Sequence, residues 1–336
     1  MNEFTLAGII LIITSFTSII LTKLWIKVAR KARLIGKDLN KIKTPEIPEA
    51  GGIAVILSFS FGILLYVFFK TFYLETATHM IEVFAILVST LLAGILGFVD
   101  DILGWKIGLK QWEKPILTLP IAIPLMVINA GQSVMNLPLV GPIDFGLIYP
   151  LVIIPIGIIG AANGFNMLAG MNGIEAGMGT MILGTLGFVS YISQNYWISL
   201  VSFSMVLALL GFLIFNKYPS KVFPGDTLTY SVGAMIAIVA ILGNMEKLAI
   251  IIFMPYFIEL ALKLRSRFKA ENFGMPQKDG TLEPRYKECY SLTHVVMKYL
   301  PKIIGRNVKE WEVVLIILLF EFIFIIIGVI PILVRL

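Results

Sequence analysis

The sequence predicts an all-α, polytopic integral membrane protein with about ten transmembrane helices and its functional loops on one, cytoplasmic, side. Three observations predict it. Apolar residues make up 58% of the 336 residues and charged residues only 14%, a balance outside the range of soluble domains. The apolar residues gather into runs that approach the roughly 20 residues a helix needs to cross a bilayer. Basic residues collect in alternate loops between those runs.

The first run, Phe4–Ile26, has no basic segment before it, so it reads as a retained span and not as a cleavable leader. Four more follow at Gly51–Phe69, Val83–Val99, Pro115–Asn129 and Leu147–Ala162. The remaining five are Ala176–Ile192, Trp197–Phe215, Leu228–Gly243, Leu248–Leu264 and Glu312–Leu333. Residues 1–336 read as one membrane-embedded domain, with a long loop at about 265–311 before the last span. One cysteine, Cys289, and two separated histidines, His79 and His294, leave no disulfide framework and no zinc site to expect.

Charge sets the orientation. Lys27, Arg30, Lys31, Arg33, Lys37, Lys41 and Lys43 follow the first span, and Lys106, Lys110 and Lys114 the third. Lys217 and Lys221 follow the seventh, and the ninth loop carries the densest basic run. The even loops offer Lys70 and Lys247. By the positive-inside rule the odd loops are cytoplasmic and both termini lie outside.

The unusual polar residues fall on that same side. Asp100 and Asp101 end the third span, and NGFNMLAGMNGIEAG (Asn163–Gly177) joins the fifth to the sixth. Asp226 precedes the eighth, and Glu46 and Glu49 stand beside Gly51-Gly52. Two acids at a helix C-terminus oppose the macrodipole and call for a compensating cation. Adjacent carboxylates near lysines suit Mg²⁺ shared with substrate phosphates. Plain structural readings stand beside these: Asp226 as a helix N-cap, and Asn172 with Glu175 as a capping box. Glu259 reads as the i,i+4 partner of Lys263, while Glu321 lies inside a span without an evident role. Together the pattern points to an anionic cytosolic substrate, a divalent cation and a second substrate drawn from the bilayer, a description met by phosphoryl transfer. Nucleic acid is not an expected partner.

The segments RLIGKDLNK (Arg33–Lys41), IPEAGG (Ile47–Gly52), GFVDD (Gly97–Asp101), NGFNMLAGMNGIEAG and VFPGDTLTY (Val222–Tyr230) occur in one order along nearly the whole chain. In them the chain resembles the polyprenyl-phosphate N-acetylhexosamine-1-phosphate transferases, particularly the eukaryotic and archaeal dolichyl-phosphate branch. The resemblance implies transfer of N-acetylglucosamine-1-phosphate from UDP-N-acetylglucosamine to a dolichyl or polyprenyl phosphate, with release of UMP. It implies Mg²⁺, or Mn²⁺ in its place, on Asn166 and Asp226, and catalytic roles for Asp100, Asp101 and Lys114. Leu39, Asn172 and Phe223 would line the uridine pocket, Glu49 would lie near the sugar, and Arg265, Arg267 and Lys269 are candidates for sugar recognition. The membrane would be the plasma membrane in an archaeon and the endoplasmic reticulum in a eukaryote, with a homodimer among the assemblies allowed.

Two features depart from the family pattern. Gly104 stands where an acid or amide commonly follows the aspartate pair, and RSRFKAENFGMPQKDG in loop nine has no histidine. A bacterial-type transferase using undecaprenyl phosphate and another UDP-amino sugar is the first alternative. A ten-span secondary transporter is the second, disfavoured because the polar clusters sit at one face and no repeat is seen.

Overall fold

Apolar runs become helices here, and prolines decide where they break. The computed structural model describes residues 3–107, 113–137 and 141–334. Its long helices are α1 (Glu3–Lys31), α2 (Gly52–Phe72) and α3 (Met80–Ile107), then α6 (Ile154–Met167), α7 (Ile174–Ile192), α8 (Tyr196–Asn216), α9 (Gly225–Leu242) and α13 (Glu310–Leu333). Among the described residues seven segments are long and apolar enough to cross a membrane, against the ten expected.

The shortfall has local causes. In the fourth run Pro115, Pro120 and Pro124 divide the chain into α4 (Lys114–Leu117), a 3₁₀ turn (Leu119–Ala122) and α5 (Ile123–Val127). Each proline removes a donor and crowds the preceding turn. The ninth run breaks at Phe253, two residues before Pro255, into α10 (Glu246–Ile252) and α11 (Met254–Arg265). Helix α7 forms at the expected place, but glycines and hydroxyl side chains dilute its apolar content.

Helix α9 is the centre. Every residue from Thr227 to Ile241 is buried, and α2, α3, α6, α7 and α8 pack around it. The approach is closest at its first turn. A Cβ on Gly52 of α2 would lie 2.3 Å from the Leu228 nitrogen, and one on Gly97 of α3 would lie 2.4 Å from the Asp226 carbonyl oxygen. Glycine at both places lets the backbones meet, as small residues do between membrane helices.

Three antiparallel hairpins were not expected of an all-α chain. They are β1 (Ile35–Lys37) with β2 (Glu46–Pro48), β3 (Val134–Leu137) with β4 (Gly141–Asp144), and β5 (Met275–Pro276) with β6 (Leu282–Glu283). The last lies in loop nine, with the amphipathic helix α12 (Leu292–Ile304). That loop folds back onto the Asn163–Gly177 stretch. Asn272 Nδ2 donates to the carbonyls of Met167 (2.9 Å) and Ala169 (2.6 Å), and the Gly274 N–H donates to Asn40 Oδ1 at 3.0 Å. Hairpin β1–β2 leads into Pro48, whose carbonyl accepts the Phe223 N–H at 2.7 Å. Loops distant in sequence therefore meet around the start of α9.

Candidate active site

The start of α9 is where carboxylates gather. Asp226 lies in its first turn, and Asp100 and Asp101 approach from the end of α3. Lys114, first residue of α4, stands between two of them: its Nζ is 2.8 Å from Asp100 Oδ2 and 2.7 Å from Asp226 Oδ2. The Tyr230 hydroxyl, one turn along α9, donates to Asp100 Oδ2 at 3.4 Å, and its ring lies 5.7 Å from the Lys114 ammonium. Burial works against the charge on Lys114, but the Asp226 and Asp100 carboxylates outweigh it and hold this lysine protonated well above its ordinary range.

Asp101 faces elsewhere. Its Oδ1 accepts the Asp226 N–H at 2.7 Å, and its Oδ2 accepts the Thr227 N–H (3.1 Å) and hydroxyl (2.5 Å). Asp226 therefore does not N-cap α9, as its position suggested; it lies inside the helix, and Asp101 caps from another helix. The capping box of Asn172 and Glu175 is also absent. Gly173 occupies the N-cap of α7 with φ of +88°, and Glu175 reaches back to the Gly170 N–H at 2.9 Å. Glu259 pairs with Lys263 at 4.0 Å, as expected, and also accepts from Leu292 N (2.7 Å) and Ser291 Oγ (3.1 Å) at the start of α12.

The remaining expected residues divide. Glu49 is half-buried with its carbonyl on the Trp25 indole at 2.8 Å; burial, and then the Asp226 charge, push its carboxyl above the usual range. Phe223 and Leu39 are half-buried, and Phe223 lies three residues before Asp226. Asn166 lies near the end of α6, which packs against α9, where a Cβ on Gly233 would meet the Ala161 carbonyl at 2.4 Å.

Asn172 is committed elsewhere. Its Nδ2 donates to Asp38 Oδ2 (3.3 Å), its Oδ1 accepts the Ser220 N–H (2.8 Å), and its own N–H donates to Glu310 Oε1 (2.8 Å). Lys41 bridges Glu310 and Asp38, the latter at 3.0 Å. Asn172 thus ties Asp38, Ser220 and Glu310 together. In loop nine Arg265 turns to the Cys289 carbonyl (3.2 Å) and Glu288 (3.4 Å), while Arg267 and Lys269 are exposed. None of the three makes a contact with the carboxylate cluster among the described residues. Lys110 and the side chain of Lys106 lie outside those residues.

Sequence reasoning passed over Tyr230, Thr227, Asp38 and Glu310. The first three sit inside segments singled out for their neighbours, whereas Glu310, opening an apolar span, gave no signal. Among the described residues the cluster sets Asp100 and Asp226 around the Lys114 ammonium, with the Asp101 carboxylate turned to the N–H groups of α9. The carboxylate oxygens of Asp100 and Asp226 are hard donors of the kind that suit a divalent cation shared with phosphate. Among the described residues no group of three His, Cys, Asp or Glu forms a cage by itself.

Comparison with known proteins places the chain in a family. The profile of glycosyl transferase family 4 matches residues 83–244, which carry α3, α4, α6 and the start of α9. A protein of Saccharolobus solfataricus is 39% identical over 332 residues, covering 97% of each chain. The chain belongs to glycosyl transferase family 4. That archaeal relative carries the provisional name UDP-N-acetylglucosamine–dolichyl-phosphate N-acetylglucosaminephosphotransferase. The Dictyostelium discoideum protein of the same name, without the qualifier, is 29% identical over 276 residues, 71% of this chain and 66% of its own. A phospho-N-acetylmuramoyl-pentapeptide-transferase of Halalkalibacterium halodurans is 32% identical over 264 residues, 74% of this chain and 78% of its own.

Proposed function

We propose that the protein transfers N-acetylglucosamine-1-phosphate from UDP-N-acetylglucosamine to a dolichyl or polyprenyl phosphate in the membrane, releasing UMP. The observation that carries this is the Asp100–Lys114–Asp226 constellation at the start of the most buried helix, within a chain 39% identical along 97% of its length to a relative of that provisional name. Bacterial relatives that use a different sugar cover less of the chain at lower identity, which favours the dolichyl-type reading. A transporter is not favoured in a chain of this family.

In this reading an oxygen of the lipid phosphate attacks the sugar-linked phosphorus of the nucleotide. The bond to the UMP oxygen breaks, and UMP leaves with that electron pair. A phosphate monoester is largely dianionic at neutral pH, so no strong base is required. Asp100 orients the acceptor, and Lys114, held charged, faces the phosphates. Asp226 and Asn166 would hold Mg²⁺ or Mn²⁺, which would supply neutralisation of the diphosphate. Phe223 stacks on the uracil, Leu39 completes that pocket, and Glu49 with its raised pKa meets sugar hydroxyls. Loop nine, with Arg265, Arg267 and Lys269, closes over the sugar.

The positive-inside rule supports a cytoplasmic site, with ten crossings and both termini outside. The fourth and ninth runs and α7 would complete the crossings as broken or polar-diluted helices, which buried positions tolerate. The test is UMP release by purified protein in detergent with UDP-N-acetylglucosamine and a short dolichyl phosphate, with and without Mg²⁺. Release that needs both substrates and the metal supports the reading. Turnover only with another UDP-amino sugar replaces the donor, and no release from folded protein with any donor refutes the transferase.

A further inference from the structure

Asp100 and Asp101 are neighbours in sequence but not in task. Successive helical residues point about 100° apart. Asp100 therefore meets Lys114 and Tyr230, while Asp101 meets the backbone of α9. We infer that Asp101 is a positioning residue that sets Asp226 in place by capping α9 from outside, and does not touch the reacting groups.

Three donors converge on its carboxylate, the N–H groups of Asp226 and Thr227 and the Thr227 hydroxyl. They occupy three of the roughly four lone-pair sites a carboxylate offers. Two of the donors are first-turn N–H groups of a helix, which have no partner within the helix and carry its positive end. A carboxylate is the side chain best suited to them. Pro224, at the N-cap position of α9, makes no side-chain cap, so the cap has to come from elsewhere.

Gly225 shows how closely the fit is made. Its φ is +71°, and a Cβ there would lie 2.3 Å from Asp101 Oδ2. Any side chain at 225 would both strain the backbone and push the carboxylate off the helix. Gly97 brings α3 against the Asp226 carbonyl one turn before Asp101. The residue whose side chain meets Lys114 is thus gripped through its own N–H by one carboxylate and through its carbonyl side by a glycine contact. Asp101 is in this way part of the mount of Asp226.

The inference rests on the transferase reading, and the experiment separates the two. Asp101→Asn, Thr227→Val, their double variant and Gly225→Ala are purified beside the wild type. Melting temperature, kcat per folded enzyme and the pH dependence of kcat are measured for each. Asp101→Asn is expected to lower kcat about a hundredfold, the cost of displacing a catalytic group by about 1 Å. Both limbs of the pH profile should stay where they are in the wild type. The double variant should be no worse than Asp101→Asn alone, because both changes remove one contact. Gly225→Ala, which keeps the carboxylate but displaces it, should reproduce the loss.

Loss of a limb in the pH profile would make Asp101 a titrating catalytic group and overturn the inference. So would multiplying effects in the double variant, or an unchanged kcat per folded molecule. If the folded wild type releases no UMP, the transferase reading fails instead. The melting temperatures of the four proteins in the Asp101/Thr227 cycle then still decide the contact: additive losses overturn it and non-additive losses support it.

Discussion

Two polar clusters each set two carboxylates around one lysine, and they differ in how much of the carboxylate surface is covered. Around α9, Asp100 and Asp226 share one lysine, and the side chain of Asp226 keeps 24% of its surface exposed. Around Asn172, Asp38 and Glu310 also share one lysine, but their side chains are 4% and 2% exposed. Protein donors complete the second cluster: Asn40 N, Asn172 N and the Asn172 amide all point at its carboxylates. The first keeps one of its carboxylates accessible, whereas both carboxylates of the second are buried and hydrogen-bonded by the protein. A buried pair with its partners present holds loops together, whereas an accessible carboxylate oxygen can bind a cation.

The comparison is broken most directly at its open side. Asp226→Asn should lower UMP release about a thousandfold, the scale of losing a key electrostatic group, while the melting temperature stays within a few degrees. A loss of folding with the activity would place Asp226 with the structural cluster. Lys114→Met should follow, lowering kcat about a hundredfold by the same reasoning and removing the ammonium that Asp100 and Asp226 share.

The closed side should respond in the opposite way. Glu310→Ala removes the partner of Lys41 and an acceptor of the Asn172 N–H. It should destabilise the fold by about 3 kcal/mol, as breaking a buried pair does, with kcat of the remaining folded protein changed by no more than a few-fold. Thermal unfolding in detergent, read beside UMP release, distinguishes the two regions.

A third region sharpens the picture through pH. His294 in α12 is buried, and its Nδ1 accepts the Tyr290 N–H at 3.2 Å. Burial lowers its pKa from 6.5 to about 4. The unfolded chain therefore takes up a proton at this residue before the folded one does. The stabilisation is complete above pH 6.5 and is lost as the pH falls toward 4, with a slope of up to about 1.4 kcal/mol per pH unit. His294→Phe should flatten that part of the stability profile. The smallest expected effect is a gain. Glu321 is fully buried and neither carboxyl oxygen has a hydrogen-bond partner among the described residues, so Glu321→Leu should stabilise by about 1 kcal/mol. A lower melting temperature would mean that this carboxyl makes an interaction which leucine cannot replace.

The residues of the open cluster were legible because chemistry leaves a mark where it breaks the local rule. Paired acids at the end of an apolar run, and an acid after Pro224-Gly225, are conspicuous in a chain that is mostly hydrocarbon. Glu310 was not legible, since an acid at the start of a helix is the ordinary choice. Its pairing with Lys41 depends on two loops more than two hundred residues apart.

The apolar runs determined by themselves that this is a membrane protein of many helices, and the alternation of basic loops carries the expectation of the side its polar loops take. Those properties are set by solvent transfer and charge, which act residue by residue. The central place of α9 and the division of labour between Asp100 and Asp101 belong to the tertiary structure. They depend on which backbone lies within hydrogen-bond reach of which side chain. For Asp101 the partner is an N–H group 125 residues away, and only packing at Gly52, Gly97 and Gly225 brings it there.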